Sequence, residues 1–399
     1  MRRPELDHIL STMLDSAREV SDLIFTVDKP LQVESSGELV PVAYDPPLEK
    51  LTPYQTEMIA LNLIGENQWQ IRDLLRTGSC DAAYTVLDKA RFRINIFSQR
   101  GNYSIVLRKL NTVIPSLEKL KLPPVIQQIP REKTGLVLVT GSTGSGKSTT
   151  LAAVLSEFNR TKAIHIITLE DPVEFVHPHM KATFNQRELG TDFDSFSSGL
   201  RAALRQAPKV ILVGEMRDKD TVKVALSAAE TGHLVLSTLH TVDAGQTINR
   251  ILGMFESDEQ EQIRLRLADT LRWVVSQRLV PKIGGGRHAM LEIMGSNLRT
   301  KETIVQGESE GKTFYEIIEA NQSFGWRTFD FSAIEGVDLG LITEESATLY
   351  CSKRGVVTRS LDNIRKARGE VTSQMNALRM KPAAAPAGAP PIPANLKLK

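Results

Sequence analysis

Gly141-Ser-Thr-Gly-Ser-Gly146-Lys147-Ser148 fills the phosphate-binding loop pattern G-x-x-x-x-G-K-[ST] at every fixed position. Before it runs Gly135-Leu-Val-Leu-Val-Thr140, a short apolar, β-branched stretch that reads as a buried strand. After it comes Thr149-Thr-Leu-Ala-Ala-Val-Leu, the composition of a helix start. A strand, a glycine turn and a helix N-terminus together make an anion trap: successive backbone N–H groups converge on a phosphate, and the helix dipole adds to the field. Lys147 is then placed for the β/γ oxygens and the Ser148 hydroxyl for Mg²⁺. The candidate contacts to a nucleoside triphosphate are therefore Gly141, Ser142, Thr143, Gly144, Ser145, Gly146, Lys147, Ser148 and Thr149.

The rest of the composition narrows the class. At 399 residues the chain has length for two or three domains. Its 49 Lys and Arg against 47 Asp and Glu give a net charge of +2, so no global field favours nucleic acid or an anionic membrane. Cys80 and Cys351 stand far apart, which excludes a Cys₄ zinc site and suits a reducing compartment. The charged start, Met1-Arg-Arg-Pro-Glu-Leu, lacks the apolar region of a signal peptide. No run approaches the roughly 20 apolar residues that cross a bilayer. Membrane association is expected only through a partner, with the chain in the cytoplasm.

Residues 1–110 mix amphipathic helices (Leu6–Val20, Tyr54–Leu63) with strand-like runs at Leu23–Val27, Leu39–Ala43, Phe92–Phe97 and Tyr103–Leu107. The last two flank Gly101-Asn102 as a hairpin would, in a small antiparallel α+β domain. Residues 111–134 carry Pro115, Pro123, Pro124 and Pro130 and read as a linker with one short helix. From Gly135 to about Ile293 strands alternate with helices, with strands at Gly135–Thr140, Ala163–Leu169, Val210–Val213 and Leu234–Thr238. That pattern predicts an α/β domain with a parallel sheet covered on both faces. Residues 296–370 read as mostly helical, which extends this domain over 135–370, and the Pro/Ala-rich stretch 371–399 reads as a flexible tail.

Carboxylates gather at the predicted strand ends. Val210-Ile-Leu-Val213 runs into Gly214-Glu215, and a carboxylate there lies at the sheet edge where open α/β folds bind ligands, to contact Mg²⁺ or orient a water. The usual pattern puts Asp before that Glu; here Gly214 takes its place, so another acid shares the metal side. Ile164–Leu169 ends in Glu170-Asp171-Pro-Val-Glu174, three carboxylates in five residues at the same edge, against the bland alternative of an exposed acidic turn. Thr231-Gly-His233-Leu-Val-Leu-Ser-Thr-Leu-His240 is a further strand with a histidine at each end, the pair serving either as structural residues or as phosphate contacts.

These four stretches, 141–150, 169–177, 211–218 and 231–241, resemble the Walker A, Asp box, Walker B and His box of bacterial type II secretion and type IV pilus ATPases. Ser276-Gln-Arg-Leu and Ile283-Gly-Gly-Gly-Arg287 resemble that family too. The likeness is to its pilus retraction branch (PilT/PilU type): assembly and secretion members carry a longer N-terminal region and a four-cysteine zinc insertion. The resemblance implies a RecA-like P-loop NTPase core with a smaller N-terminal PAS-like α+β domain. It implies a homohexameric ring that hydrolyses ATP with Mg²⁺ and acts at the inner face of the inner membrane on a platform protein of the pilus, without direct contact to nucleic acid. Carried over by position, Glu174 activates water while Glu215 acts through Mg²⁺; His233 and His240 are the His-box pair. Arg93, in Ala90-Arg-Phe-Arg, and Arg108 resemble N-terminal-domain arginines that swing onto the γ-phosphate.

The chain also departs from the family. Arg205-Gln-Ala-Pro-Lys209 replaces an acidic segment before the Walker B strand, and Ser296-Asn-Leu-Arg-Thr replaces a segment tied to retraction. An accessory retraction ATPase, and a type II secretion or DNA-transfer ATPase of the same superfamily, therefore stay open. From other classes, so do a small-molecule kinase and a nucleotide-sensing scaffold.

Overall fold

The computed structural model describes residues 3–45, 47–87, 89–110 and 113–369. The Pro/Ala-rich tail lies outside the described residues.

The first part of the chain runs α1 (Arg3–Asp15), β1 (Val20–Phe25), β2 (Gln32–Ser35), β3 (Glu38–Pro41), α2 (Pro53–Ile64), α3 (Gln68–Thr77), β4 (Ser79–Val86), β5 (Ala90–Gln99) and β6 (Asn102–Leu110). The expected helix over Leu6–Val20 stops at Asp15, because Val20 pairs with Ser35 and opens β1 instead. Thr52 and Gln55 close a capping box on α2, with Pro53 at its first position. The strands form one antiparallel sheet in the order β3-β2-β1-β6-β5-β4. Along β5 the alternation is clean. Phe92, Ile94 and Ile96 are buried with Leu6, Leu10 and Phe25, leaving Arg91 and Arg93 on the opposite face.

A 3₁₀ helix, Pro124–Arg131, follows. Its Val125, Ile126 and Ile129 are buried in the core of the second domain, so this stretch is packed rather than free. That domain contains β7 (Gly135–Thr140), α4 (Lys147–Thr161), β8 (His165–Glu170), β9 (Thr183–Glu188), α5 (Phe196–Ala203), β10 (Val210–Val213) and α6 (Lys219–Glu230). It continues through β11 (Leu234–Leu239), α7 (Ala244–Leu252), α8 (Ser257–Thr270), β12 (Leu271–Pro281) and β13 (Arg287–Gly295). Helices α9 (Leu298–Gln306), α10 (Phe314–Ala320), α11 (Phe329–Asp338), α12 (Glu344–Tyr350) and α13 (Arg354–Ala367) complete it.

The second sheet has the order β13-β12-β7-β11-β10-β8-β9. All neighbours are parallel except β12 and β13, an antiparallel pair that closes one side. Every residue of β7, β10 and β11 is buried, which is why those strands are mostly apolar, with Thr140, Ser237 and Thr238 as their polar residues. Parallel strands with helical crossovers bring the carboxyl ends of β7, β8, β10 and β11 to one edge.

Candidate active site at the carboxyl edge of the sheet

The loops leaving those four strands line a cavity of about 560 Å³. Thr143, Gly144, Gly146, Lys147, Ser148 and Thr149 come from the loop after β7; Glu170, Asp171 and Glu174 follow β8. Glu215 and Arg217 follow β10, and His240 follows β11. From the other domain, Arg93 on β5 reaches the same cavity. The four motifs and one of the two expected arginines are thus brought together across the domain boundary.

The phosphate loop is held from beside and below. Gln277 on β12, 3% exposed, donates through Nε2 to the Ser145 carbonyl and accepts the Thr150 hydroxyl. The Thr140 hydroxyl donates to Ser276 Oγ at 2.9 Å. β12 approaches so closely that a Cβ on Gly141 would lie 2.4 Å from the Gln277 carbonyl oxygen. Gly141 also has φ 142° and Gly146 φ 89°, so both glycines are required by conformation and by space. Lys147 Nζ donates to the Gly141 and Ser142 carbonyls at 2.8 and 3.0 Å. Burial lowers its pKa, while Glu215 and Glu174 oppose the shift, so both acids act on this ammonium.

Each carboxylate has its own setting. Glu215 pairs through Oε1 with Arg217. Its Oε2 is buried without a hydrogen-bond partner among the described residues, and stands 3.6 Å from His240 Nε2. Glu170 accepts from Thr168 Oγ1 at 2.6 Å and Gln186 Nε2 at 3.2 Å; burial pushes its carboxyl up to about 7. Burial also raises Asp171, against the pull of Arg93 and Arg217. His177, stacked on Phe184 at 4.6 Å, is driven down to about 4 by burial and stays neutral. Gly214 has a steric reason: a Cβ there would lie 3.1 Å from the Leu169 carbonyl oxygen and 3.4 Å from Glu170 Cα.

Gly141, Ser142 and Ser145 of the expected loop contacts are outside the cavity's lining, and two of the expected catalytic residues lie elsewhere. His233 precedes β11, at the opposite end of the strand from His240, with Nδ1 3.0 Å from the Ala228 carbonyl. Arg108 Nε donates to Asp22 Oδ1 at 2.9 Å and its side chain is 71% exposed. The cavity's lining among the described residues includes neither. Sequence reasoning passed over Gln277 and Arg91. Gln277 sits in the quoted Ser276-Gln-Arg-Leu, but nothing in its spacing reveals that its carboxamide braces the loop. Arg91 carried one usable signal: at two residues from Arg93 on a strand, it shares that residue's face.

A family model described as "Type II/IV secretion system protein" matches residues 82–323. The chain is 40% identical over 328 residues to the type IV pilus retraction ATPase PilT of Pseudomonas aeruginosa, covering 82% of this chain and 93% of that protein. It is 37% identical over 347 residues to the type IV pilus ATPase PilU of the same organism, covering 87% and 88%. Among solved structures, the pilus retraction motor PilT with bound ADP superimposes with a TM-score of 0.79 at 40% identity, over 90% of this chain and 99% of that one. The ATPase DotB of Legionella pneumophila gives 0.76 at 27% identity, over 88% and 95%.

Proposed function

Since the chain belongs to the type II/IV secretion system ATPase family, in its PilT-type pilus retraction branch, we propose that it works as a hexameric motor powering type IV pilus retraction. It is an ATPase and binds nucleotide in the cavity at the sheet edge. The observation that carries the motor reading is Arg93: the cavity takes a cation from the N-terminal domain beside Lys147, Ser148, Glu174 and Glu215 from the core. A site built from two domains couples what happens at the phosphates to how those domains sit.

In this reading Lys147 offsets the β/γ-phosphate charge and Arg93 closes its planar guanidinium over the γ-phosphoryl oxygens. Glu174 takes the proton of the attacking water. Ser148 and Glu215 suit Mg²⁺. The Oε2 of Glu215, without a hydrogen-bond partner among the described residues, is the oxygen such an ion would satisfy. No protein-only cluster of three or more His, Cys, Asp or Glu that could hold a metal occurs among the described residues. The triphosphate would supply the ion's remaining ligands, and Mg²⁺ there would supply charge neutralisation. His233, Arg108 and the remaining loop residues stay as proposed site residues, the first two working on a neighbouring subunit or after domain movement. Among the described residues no helix is long and apolar enough to cross a membrane. Attachment to the inner face of the inner membrane is assigned to a platform protein of the pilus, as the family resemblance implies.

The test is direct. The purified chain should release orthophosphate from ATP without phosphorylating an acceptor, and cells lacking the gene should be piliated yet unable to retract. Transfer of phosphate to a small molecule, or normal retraction in the deletion, overturns the reading. A second reading, an accessory retraction ATPase, is favoured by Ser296-Asn-Leu-Arg-Thr standing where the family's retraction segment is expected. It predicts that retraction persists, weakened, in the deletion.

A further inference from the structure

Arg91 stands two residues from Arg93 on β5, outside the set assigned above. Its guanidinium is anchored within its own domain by Nη1 donating to Thr85 Oγ1 at 3.2 Å. The other two donors cross to the core domain: Nε to the Val173 carbonyl at 2.9 Å, and Nη2 to Glu188 Oε2 at 2.6 Å. Glu188 is the last residue of β9, and the same Oε2 accepts from the Val173 N–H at 3.1 Å. Both backbone polar groups of Val173 are therefore held, one by the N-terminal domain and one by the edge of the sheet. The next residue is Glu174.

We propose that Arg91 and Glu188 form an interdomain clamp that fixes the loop carrying Glu174, making them positioning residues for hydrolysis. The inference rests on Glu174 being the residue that activates water. The pair differs from an ordinary surface ion pair, since its side chains are only 17% and 12% exposed and three hydrogen bonds converge on it. A fork is needed because a single charged nitrogen cannot serve both the Val173 carbonyl and Glu188 with the same geometry. A second tether lies close by. Asn67, the N-cap of α3, donates through Nδ2 to the Gly190 carbonyl at 3.1 Å, so the N-terminal domain grips the end of β9 twice. Removing Arg91 leaves the Glu188 carboxylate in an enclosed place with one N–H donor and frees the Val173 carbonyl. A loop shift of about 1 Å at a reacting group costs on the order of a hundredfold in rate.

The experiment uses the full chain with Arg91→Gln, Glu188→Gln, Arg91→Lys and the double Gln variant, and Glu174→Gln as reference. Turnover at saturating ATP, affinity for a fluorescent ADP analogue, and thermal unfolding are measured for each. The clamp predicts that both Gln variants lose roughly tenfold or more in turnover, within the loss that a displaced catalytic group produces. Nucleotide affinity stays within about threefold, because the phosphate loop is untouched. Arg91→Lys falls between wild type and Arg91→Gln, and the double variant is no slower than the slower single. Turnover near wild type in Arg91→Gln while Glu174→Gln is inactive overturns the clamp alone. So does a parallel fall of turnover and affinity in Arg91→Lys. Wild-type turnover in Glu174→Gln instead overturns the assignment on which the clamp rests.

Discussion

Gln277 and Ser145 are joined by a hydrogen bond of 2.7 Å that ties strand β12 to the middle of the phosphate loop. The same carboxamide accepts the Thr150 hydroxyl at 2.8 Å, so one side chain spans the loop and the first turn of α4. Gln277→Leu fills the space but strands a buried carbonyl and a buried hydroxyl. It should cost about 1–3 kcal/mol of stability and weaken nucleotide binding, read by denaturant unfolding and by titration with a fluorescent ADP analogue. Unchanged affinity would show that the loop holds its own shape.

Lys147→Ala should abolish phosphate release and weaken ATP binding, since the ammonium between the loop carbonyls and both acids is gone. Glu174→Gln and Glu215→Gln should keep ATP bound and lower turnover by about two orders of magnitude, the scale of a catalytic acid or base. A variant that releases phosphate at the wild-type rate removes that carboxylate from the chemistry.

Arg93 and Arg108 face each other across β5 and β6 in register, yet their surroundings differ. Arg93 lines the cavity, whereas Arg108 is held by Asp22 and open to solvent. Arg93→Lys should reduce turnover clearly, because lysine keeps the charge and loses the fork. Arg108→Lys should lower turnover in the same steady-state assay too, since on the proposed reading Arg108 leaves Asp22 during the cycle to reach a nucleotide. Wild-type turnover in Arg108→Lys would mean that it stays with Asp22 throughout.

Glu292 supplies a pH prediction. It is 3% exposed, accepts the Ala244 N–H at 2.8 Å at the start of α7, and burial raises its carboxyl to about 7. Asp243 and Asp330 push it in the same direction while Arg278 opposes them. The unfolded chain gives up this proton near the ordinary value of 4.5 and the folded chain near 7. Stability from this group is therefore full below about 4.5 and declines as pH rises through about 7. Glu292→Gln keeps an acceptor for Ala244 and removes the ionisation. Its stability relative to wild type should rise between pH 5 and pH 8 by on the order of 3 kcal/mol, measured by urea unfolding at both pH values. A difference that does not change with pH would place the proton elsewhere.

Gly214→Asp restores the commoner strand-end pattern and should nevertheless harm the protein. The added Cβ meets the Leu169 carbonyl at 3.1 Å, at the end of β8 beside Glu170. Lower turnover and a lower melting temperature are expected in a thermal scan; a gain in activity would show that the neighbouring strand yields.

What the sequence made legible follows from burial. Strands β7, β10 and β11 are buried throughout and mostly apolar because helices cover both faces of the sheet, and each is readable with its motif at its end. Strand β9, Thr-Phe-Asn-Gln-Arg-Glu, is a polar edge strand with only Phe184 buried, and its composition resembles a loop. The hairpin β12–β13 went unread because Arg272, Gln277 and Arg278 interrupt its apolar residues, and its closing role depends on pairing with a strand more than a hundred residues earlier. At the site, motif spacing fixed Lys147, Glu174, Glu215 and His240 at one edge. It could not separate Arg93 from Arg108, since which of two paired strand residues meets the cavity depends on how the domains dock. His233 and His240 are legible as the two ends of one strand, and the length of β11 puts them at opposite edges of the sheet, so that only His240 lines the cavity.

Arg91 and Arg93 share one face of one strand, and β5 is hydrogen-bonded on both sides, so the pair travels as part of a stiff plate. On the proposed reading, a tilt of that plate away from the core would withdraw the cation from the phosphates and slacken the loop bearing Glu174 in a single stroke. Water activation and the grip on the phosphoryl group would then be gained and lost together, interlocked by a spacing of two residues.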